Sequence, residues 1–249
     1  MVLSGPRALL LELAHPLVAA GVAAHSDFRH NPWGRLFRTV GVMTALNFQQ
    51  HAEARQAVRH TRKCHTRVQG TLAEDVGPYL AGTPYRADDP LLQLWVLATL
   101  IDSVLVTYDL LVRPLSYDEK AEYYASSLHL GHAFGLPREL MPPTYDDFQT
   151  YMDSMLNSDQ LSVGATAREI GRALFAPPLF GPTVRWASFI SLGLTPPHLR
   201  AAFGFGWSAA AERRLHRLAG AARKLRPLTP EPLCVHPQAL WAEWKMRRV

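Results

Sequence analysis

Between Pro90 and Leu111 the chain carries apolar residues on nearly every side of a helix, and this stretch constrains what the rest can fold into. Leu91, Leu92, Trp95, Val96, Ala98, Leu100, Ile101, Val104 and Leu105 are spread over nearly all of its sides. Gln93, Asp102 and Asp109 interrupt it, and its longest uninterrupted apolar run falls far short of the roughly 20 residues a bilayer requires. The expectation is a core helix that other helices enclose. Asp102 then lies in a mostly buried setting, where a carboxylate is costly unless paired, so it is expected to accept hydrogen bonds from an Arg, Trp or Tyr elsewhere.

The flanking sequence supplies the enclosing pieces. Periodic segments have helical spacing and the breaks between them are Pro or Gly clusters. The pattern predicts a first helix over Pro6 to Ala24, a turn at Asn31-Pro32-Trp33-Gly34, a second helix from Arg35 to about Asn47 and a third from His51 to about Leu72. After a loop from Gly77-Pro78 to Pro84 comes the apolar helix. Ser116 to Asp118 is the cap of a fifth, which ends near Gly135-Leu136-Pro137. Further helices are predicted over Tyr145 to Leu156, Ala165 to Phe175, Pro182 to Leu192, Pro196 to Phe203 and Ser208 to about Leu225. No segment alternates as a half-buried strand does. With no repeat and no composition break, the expected architecture is all-α: a single domain, residues 1–249, of about ten helices.

Composition narrows the function classes. Two cysteines, Cys64 and Cys234, are too few for a disulfide scaffold or a cysteine-based zinc module, and point to a reducing, cytoplasmic setting. The apolar run from Ala8 to Ala24 imitates a signal peptide, but Glu12, His15 and Pro16 interrupt it too early. The formal net charge of +5 is concentrated at one end: residues 208–249 hold nine Lys/Arg against three Asp/Glu, and the remainder is near neutral. In the absence of a zinc-finger or RNP-type motif, Arg213, Arg214, Arg217, Arg223, Lys224 and Arg226 are expected to form a solvated helix face, with no nucleic-acid partner. Gly-x-Ser-x-Gly, Walker, Rossmann, Cys-x-x-Cys and His-Glu-x-x-His patterns are all missing, which removes the commonest enzymes.

Eleven histidines remain to be explained. In the third predicted helix Ala54, Val58, Thr61, His65, Val68 and Leu72 recur at spacings of three and four and share an inward face, with Arg55, Arg59, Arg62, Lys63 and Arg67 largely elsewhere. His65 at the middle of that stripe is either a packed core residue or an axial ligand of haem iron, for which a neutral imidazole in an apolar wall is suited. His60, about 140° round the helix, is expected at solvent or an edge. Glu12-Leu-Ala-His15 matches half of a di-iron site, but no second copy exists. Arg35 and Thr39 are four apart on one face: a helix start with a structural Arg, or a guanidinium and hydroxyl suited to a haem propionate or to polarising dioxygen.

Taken in order, several motifs resemble those of the MpaB/rubber-oxygenase family. They are Arg7-Ala-Leu-Leu-Leu-Glu-Leu-Ala-His15-Pro-Leu-Val-Ala-Ala-Gly-Val-Ala-Ala-His25-Ser-Asp-Phe28, then Arg35-Leu-Phe-Arg-Thr39, then His65, then Tyr85-Arg-Ala-Asp-Asp-Pro90. Trp95-Val-Leu-Ala-Thr-Leu-Ile-Asp-Ser103, Leu194-Thr-Pro-Pro-His-Leu-Arg200 and Trp207-Ser208 complete the series. The resemblance implies a globin-like all-α domain binding haem b, with His65 as the proximal iron ligand and Arg35 and Thr39 close to the haem. It also implies an oxygenase of the dioxygenase type that uses dioxygen to cleave a carbon-carbon double bond of an isoprenoid or other apolar substrate. Many relatives have His where Leu97 stands, and polymer-cleaving members have Lys where Arg38 stands, so a lysine-capped iron is not expected. His15 and His25 are candidates for the sixth iron position by proximity in the motif. The alternatives are a haem peroxidase or sensor without oxygenase turnover, and a cofactor-free helical interaction protein.

Overall fold

The computed structural model describes residues 3–26, 51–175 and 182–228. Within them the protein is built of ten α-helices and one two-stranded ribbon. The expected helix from Pro6 to Ala24 is in fact two, α1 (Gly5–Ala14) and α2 (Pro16–His25), which meet at 109°. Pro16 is the cause. Its ring excludes the helical conformation from the residue before it, and His15 is accordingly extended, at φ −83° and ψ 117°. Pro16 then serves as the first residue of α2, where a missing N–H costs nothing.

The apolar stretch forms the core helix α4 (Pro90–Leu111), with the expected boundaries. Asp89 caps it by accepting from the N–H groups of Leu91 and Leu92 at 2.8 and 3.4 Å. Trp95, Leu97, Ala98, Ile101 and Leu105 are buried along it. Among the described residues α4 is the one helix long and apolar enough to cross a membrane, and half of its apolar window is buried inside the fold. It packs most extensively on α1, every residue of which from Pro6 to Ala14 is buried, and the Trp95 indole N–H donates to the Leu11 carbonyl at 3.1 Å. Each leucine buried in this seam contributes about 1.5–3 kcal/mol.

Other helices close round this pair. α5 (Tyr117–Phe134) begins at the predicted cap, where Ser116 and Glu119 satisfy each other's backbone N–H groups, and ends at Gly135, whose φ of 91° suits glycine. α6 (Tyr145–Leu156) opens with a matching box made by Thr144 and Asp147. α7 (Ala165–Phe175) packs on α2, α8 (Pro182–Leu194) on α1, and after the short α9 (Pro197–Ala202) the basic α10 (Ala209–Leu225) lies against α4 and α8.

The third helix and the absence of strands need correction. α3 (His51–His65) ends at His65, seven residues earlier than the apolar spacing predicts. The chain turns, and β1 (Gln69–Thr71) pairs antiparallel with β2 (Pro84–Arg86), Gly70 opposite Tyr85. Val68 and Leu72 therefore belong to the ribbon: the Val68 carbonyl accepts from Ala87 and the Leu72 N–H donates to Thr83. Strands of three residues are too short to display an alternation. Gly70 is fixed by close approach, since a Cβ there would stand 2.6 Å from the Tyr85 hydroxyl.

One side chain ties the layers together. Arg7, buried in α1, donates through Nη1 to Asp102 Oδ2 and to Ser103 Oγ, each at 2.7 Å, and through Nε to the carbonyl of Leu194 at 2.8 Å. Asp102 thus has the Arg partner expected of it. The bonds join α1, the middle of α4 and the last residue of α8. Replacing Arg7 by Met removes the charge but leaves Asp102 partly buried without its cation, so urea denaturation is expected to show a loss of about 3–5 kcal/mol.

Candidate functional site

His65 is the last residue of α3, half-buried, and its carbonyl accepts from the Val68 N–H at 3.0 Å as the chain turns into β1. The part of the predicted stripe that precedes it holds, with Val58 buried, Thr61 half-buried and Arg55, Arg59, Arg62 and Lys63 exposed. His60 is exposed, as its angular position requires. The turn after His65 brings Val68 against α2, where a Cβ on Gly21 would lie 3.6 Å from both Val68 and the Tyr85 ring. At the end of α2, His25 donates from Nε2 to the Gln69 carbonyl at 3.1 Å and meets Tyr85 edge to face, 6.4 Å between centroids. The end of α3, the end of α2 and the ribbon therefore converge on one place.

Charge enters this place through Asp88. The bidentate Arg86 guanidinium, and more weakly His65, hold its carboxyl below the usual range, so Asp88 is an anion whose field reaches the His65 ring. Tyr85 is buried, and burial pushes its phenol up. Neither Asp88 nor Tyr85 stands out by helical spacing, and the only signal for them is the motif Tyr85-Arg-Ala-Asp-Asp-Pro90.

A second polar group lies at the bend between α1 and α2. His15 is 4% exposed; its Nε2 shares a hydrogen bond of 3.2 Å with the Tyr79 hydroxyl, and its Nδ1 is buried with no hydrogen-bond partner among the described residues. Burial pulls the imidazole down to about 4, only partly opposed by Asp89, so His15 is neutral at physiological pH. Tyr79 stays protonated because burial, then the carboxylates of Asp159 and Asp89, push its phenol up. The loop between β1 and β2 thus reaches back over the bend.

Arg35, Thr39 and Arg38 lie outside the described residues. Leu97 is buried in α4, facing the Cα of Gly131 in α5. Among the described residues no three His, Cys, Asp or Glu side chains gather as ligands for a bare metal ion. A haem iron asks less of the protein, a single imidazole beside apolar surface; His65 offers such an imidazole, half-buried at the end of α3, three residues before Val68 turns towards Gly21.

The sequence profile of the family described as ER-bound oxygenase mpaB/B'/rubber oxygenase, catalytic domain, matches residues 1–224. Two relatives, uncharacterized proteins of Mycobacterium bovis and Mycobacterium tuberculosis, are each 27% identical over 248 residues, covering 96% of this chain and 93% of their own. No solved structure matches the chain.

The neutral His15 generates a pH dependence. The unfolded chain binds a proton on this residue near pH 6.5 and the folded one only near 4. Stability contributed by burying the neutral ring is therefore complete above about 6.5 and lost as pH falls towards about 4, by about 3 kcal/mol in all. Urea midpoints across this window are expected to fall in the wild type and to flatten in His15→Gln.

Proposed function

The chain belongs to the mpaB/B'/rubber oxygenase family, and from that membership we propose that it is a haem b-dependent oxygenase of the dioxygenase type, acting on an apolar, unsaturated substrate. The observation that carries the cofactor is the donor: His65 offers one half-buried imidazole at the end of α3, where the chain turns to bring Val68 towards Gly21.

His65 would ligate the haem iron through its imidazole. Asp88, ion-paired with Arg86, acts on His65 through its charge alone and only weakly. By the family resemblance, Arg35 and Thr39 would supply a guanidinium and a hydroxyl as hydrogen-bond donors to a propionate or to dioxygen. When bound, haem b supplies the redox-active iron needed to activate dioxygen. The overall reaction inserts both oxygen atoms: the carbon-carbon double bond breaks and each carbon leaves as a carbonyl, with no external reductant.

Protein purified from haem-replete cells is expected to show a Soret band that His65→Ala abolishes and that Arg35→Gln and Thr39→Val retain. A colourless wild-type protein that takes up no added haemin overturns the cofactor. With the haem in place, oxygen uptake is expected on addition of a short isoprenoid alkene such as squalene, reduced about a hundredfold in Arg35→Gln. Haem-loaded protein that consumes no oxygen with any alkene is instead a peroxidase or sensor.

A further inference from the structure

The outward side of α10 carries cations that the fold leaves unused. Leu215 and Ala219 turn inward and are buried. Arg213, Arg217 and Lys224 fall within about 40° of one another at 100° per residue, on the opposite side, and all three are exposed. They form a row about 16 Å long. None of them has a hydrogen-bond or ion-pair partner among the described residues, whereas the neighbouring charges on the same helix are all engaged. Arg214 lies over the rings of Trp186 and Phe189 at 5.3 and 5.2 Å, Arg223 donates to the carbonyls of Asp109 and Leu110 at the end of α4, and Glu212, the only acid in α10, accepts from Trp207 and His216.

Apolar side chains bracket this row. Leu225 and Leu228, at its C-terminal end, are 59% and 79% exposed, and Trp186, held on its flank by Arg214, is 38% exposed. The pairing continues in the sequence beyond, where Trp241 and Trp244 accompany Lys245, Arg247 and Arg248. We propose that this side of α10 docks the protein on an anionic phospholipid surface, with Arg213, Arg217 and Lys224 against the headgroup phosphates and Leu225, Leu228 and Trp186 in the interfacial layer.

The neighbouring apolar side chains decide between lipid and nucleic acid. Phosphates of either kind satisfy the three cations, but a single-stranded nucleic acid is gripped by aromatic platforms set among the cations, and the row itself carries none. Exposed leucines gain nothing from a polynucleotide backbone and gain hydrophobic transfer from a bilayer boundary. The inward side of α10 is occupied by α4 and α8, so the helix adsorbs by its charge and its ends and does not insert. The inference does not depend on haem or on oxygenase turnover.

Full-length protein is expected to sediment with phosphatidylcholine vesicles containing phosphatidylserine, to bind pure phosphatidylcholine vesicles far more weakly, and to be released as salt rises. Since each basic residue near such a surface strengthens binding about fivefold, R213Q/R217Q/K224Q is expected to bind about a hundredfold more weakly, with an unchanged circular dichroism spectrum. L225A/L228A is expected to bind the anionic vesicles more weakly while its response to salt stays as in the wild type. Three results overturn the proposal: no sedimentation with anionic vesicles, equal binding to neutral ones, or a single-stranded RNA oligonucleotide bound tighter than the vesicles and lost in the triple variant. If the triple variant does not fold, the dependence of wild-type binding on lipid charge and salt decides the matter.

Discussion

A guanidinium withdrawn from water costs several kcal/mol unless its donors are matched, and the arrangement of this fold follows from how Arg7 is matched. Its side chain and that of Asp102 are 4% and 19% exposed, and the bond between them sets the depth at which α1 crosses α4. The donation to Leu194 closes the C-terminal end of α8, one of the backbone carbonyls that a helix terminus leaves without a partner. The surrounding leucines would tolerate small shifts along the seam, because dispersion and burial are nearly indifferent to register. The polar triad is not indifferent, and it selects one register.

From that anchor the bend at His15 directs everything that follows. With α1 held against α4, the turn of 109° at Pro16 sends α2 across α7 and on to the ribbon, where His25 and Gly21 meet β1 and Tyr85. A straight helix would have carried the same residues past the end of α3. The buried neutral imidazole at the corner is thus part of how the two histidine-bearing helix ends are brought together, even though it lies apart from them.

Much of this was legible in the sequence, for physical reasons that can be named. α4, α6 and α7 have the predicted limits: Asp89 with Pro90 and Thr144 mark the first two starts, and the apolar spacing alone marks α7. Asp102 announced its own partner by being a carboxylate in the middle of a mostly buried helix. The family resemblance, too, was carried by motifs visible along the chain. The errors arose where local and tertiary preferences compete. The apolar spacing continues across Pro16, yet the proline ring forces His15 out of the helical conformation and splits the helix in two. Val68 and Leu72 have helical spacing from Val58, but Gly70 and the pairing with Tyr85 stabilise an extended chain that spacing cannot foresee. Asp88 and Tyr79 act through loops, where no periodicity marks a role.

The early end of α3 has a consequence for how the site tolerates change. His65 is held by what comes after it: a tight turn, a three-residue strand and a ribbon whose far side leads within a few residues to the Asp89 cap of α4. Its coordinates are referred to the core helix through the ribbon. Of the helical residues before it, those over 55–64 are mostly exposed. Drift, insertion or a change of partner upstream of His65 therefore leaves the imidazole where it is, whereas one residue added between Thr66 and Asp89 displaces it. Evolution of new substrates in such a scaffold has a free side and a fixed side, and the histidine sits on the boundary.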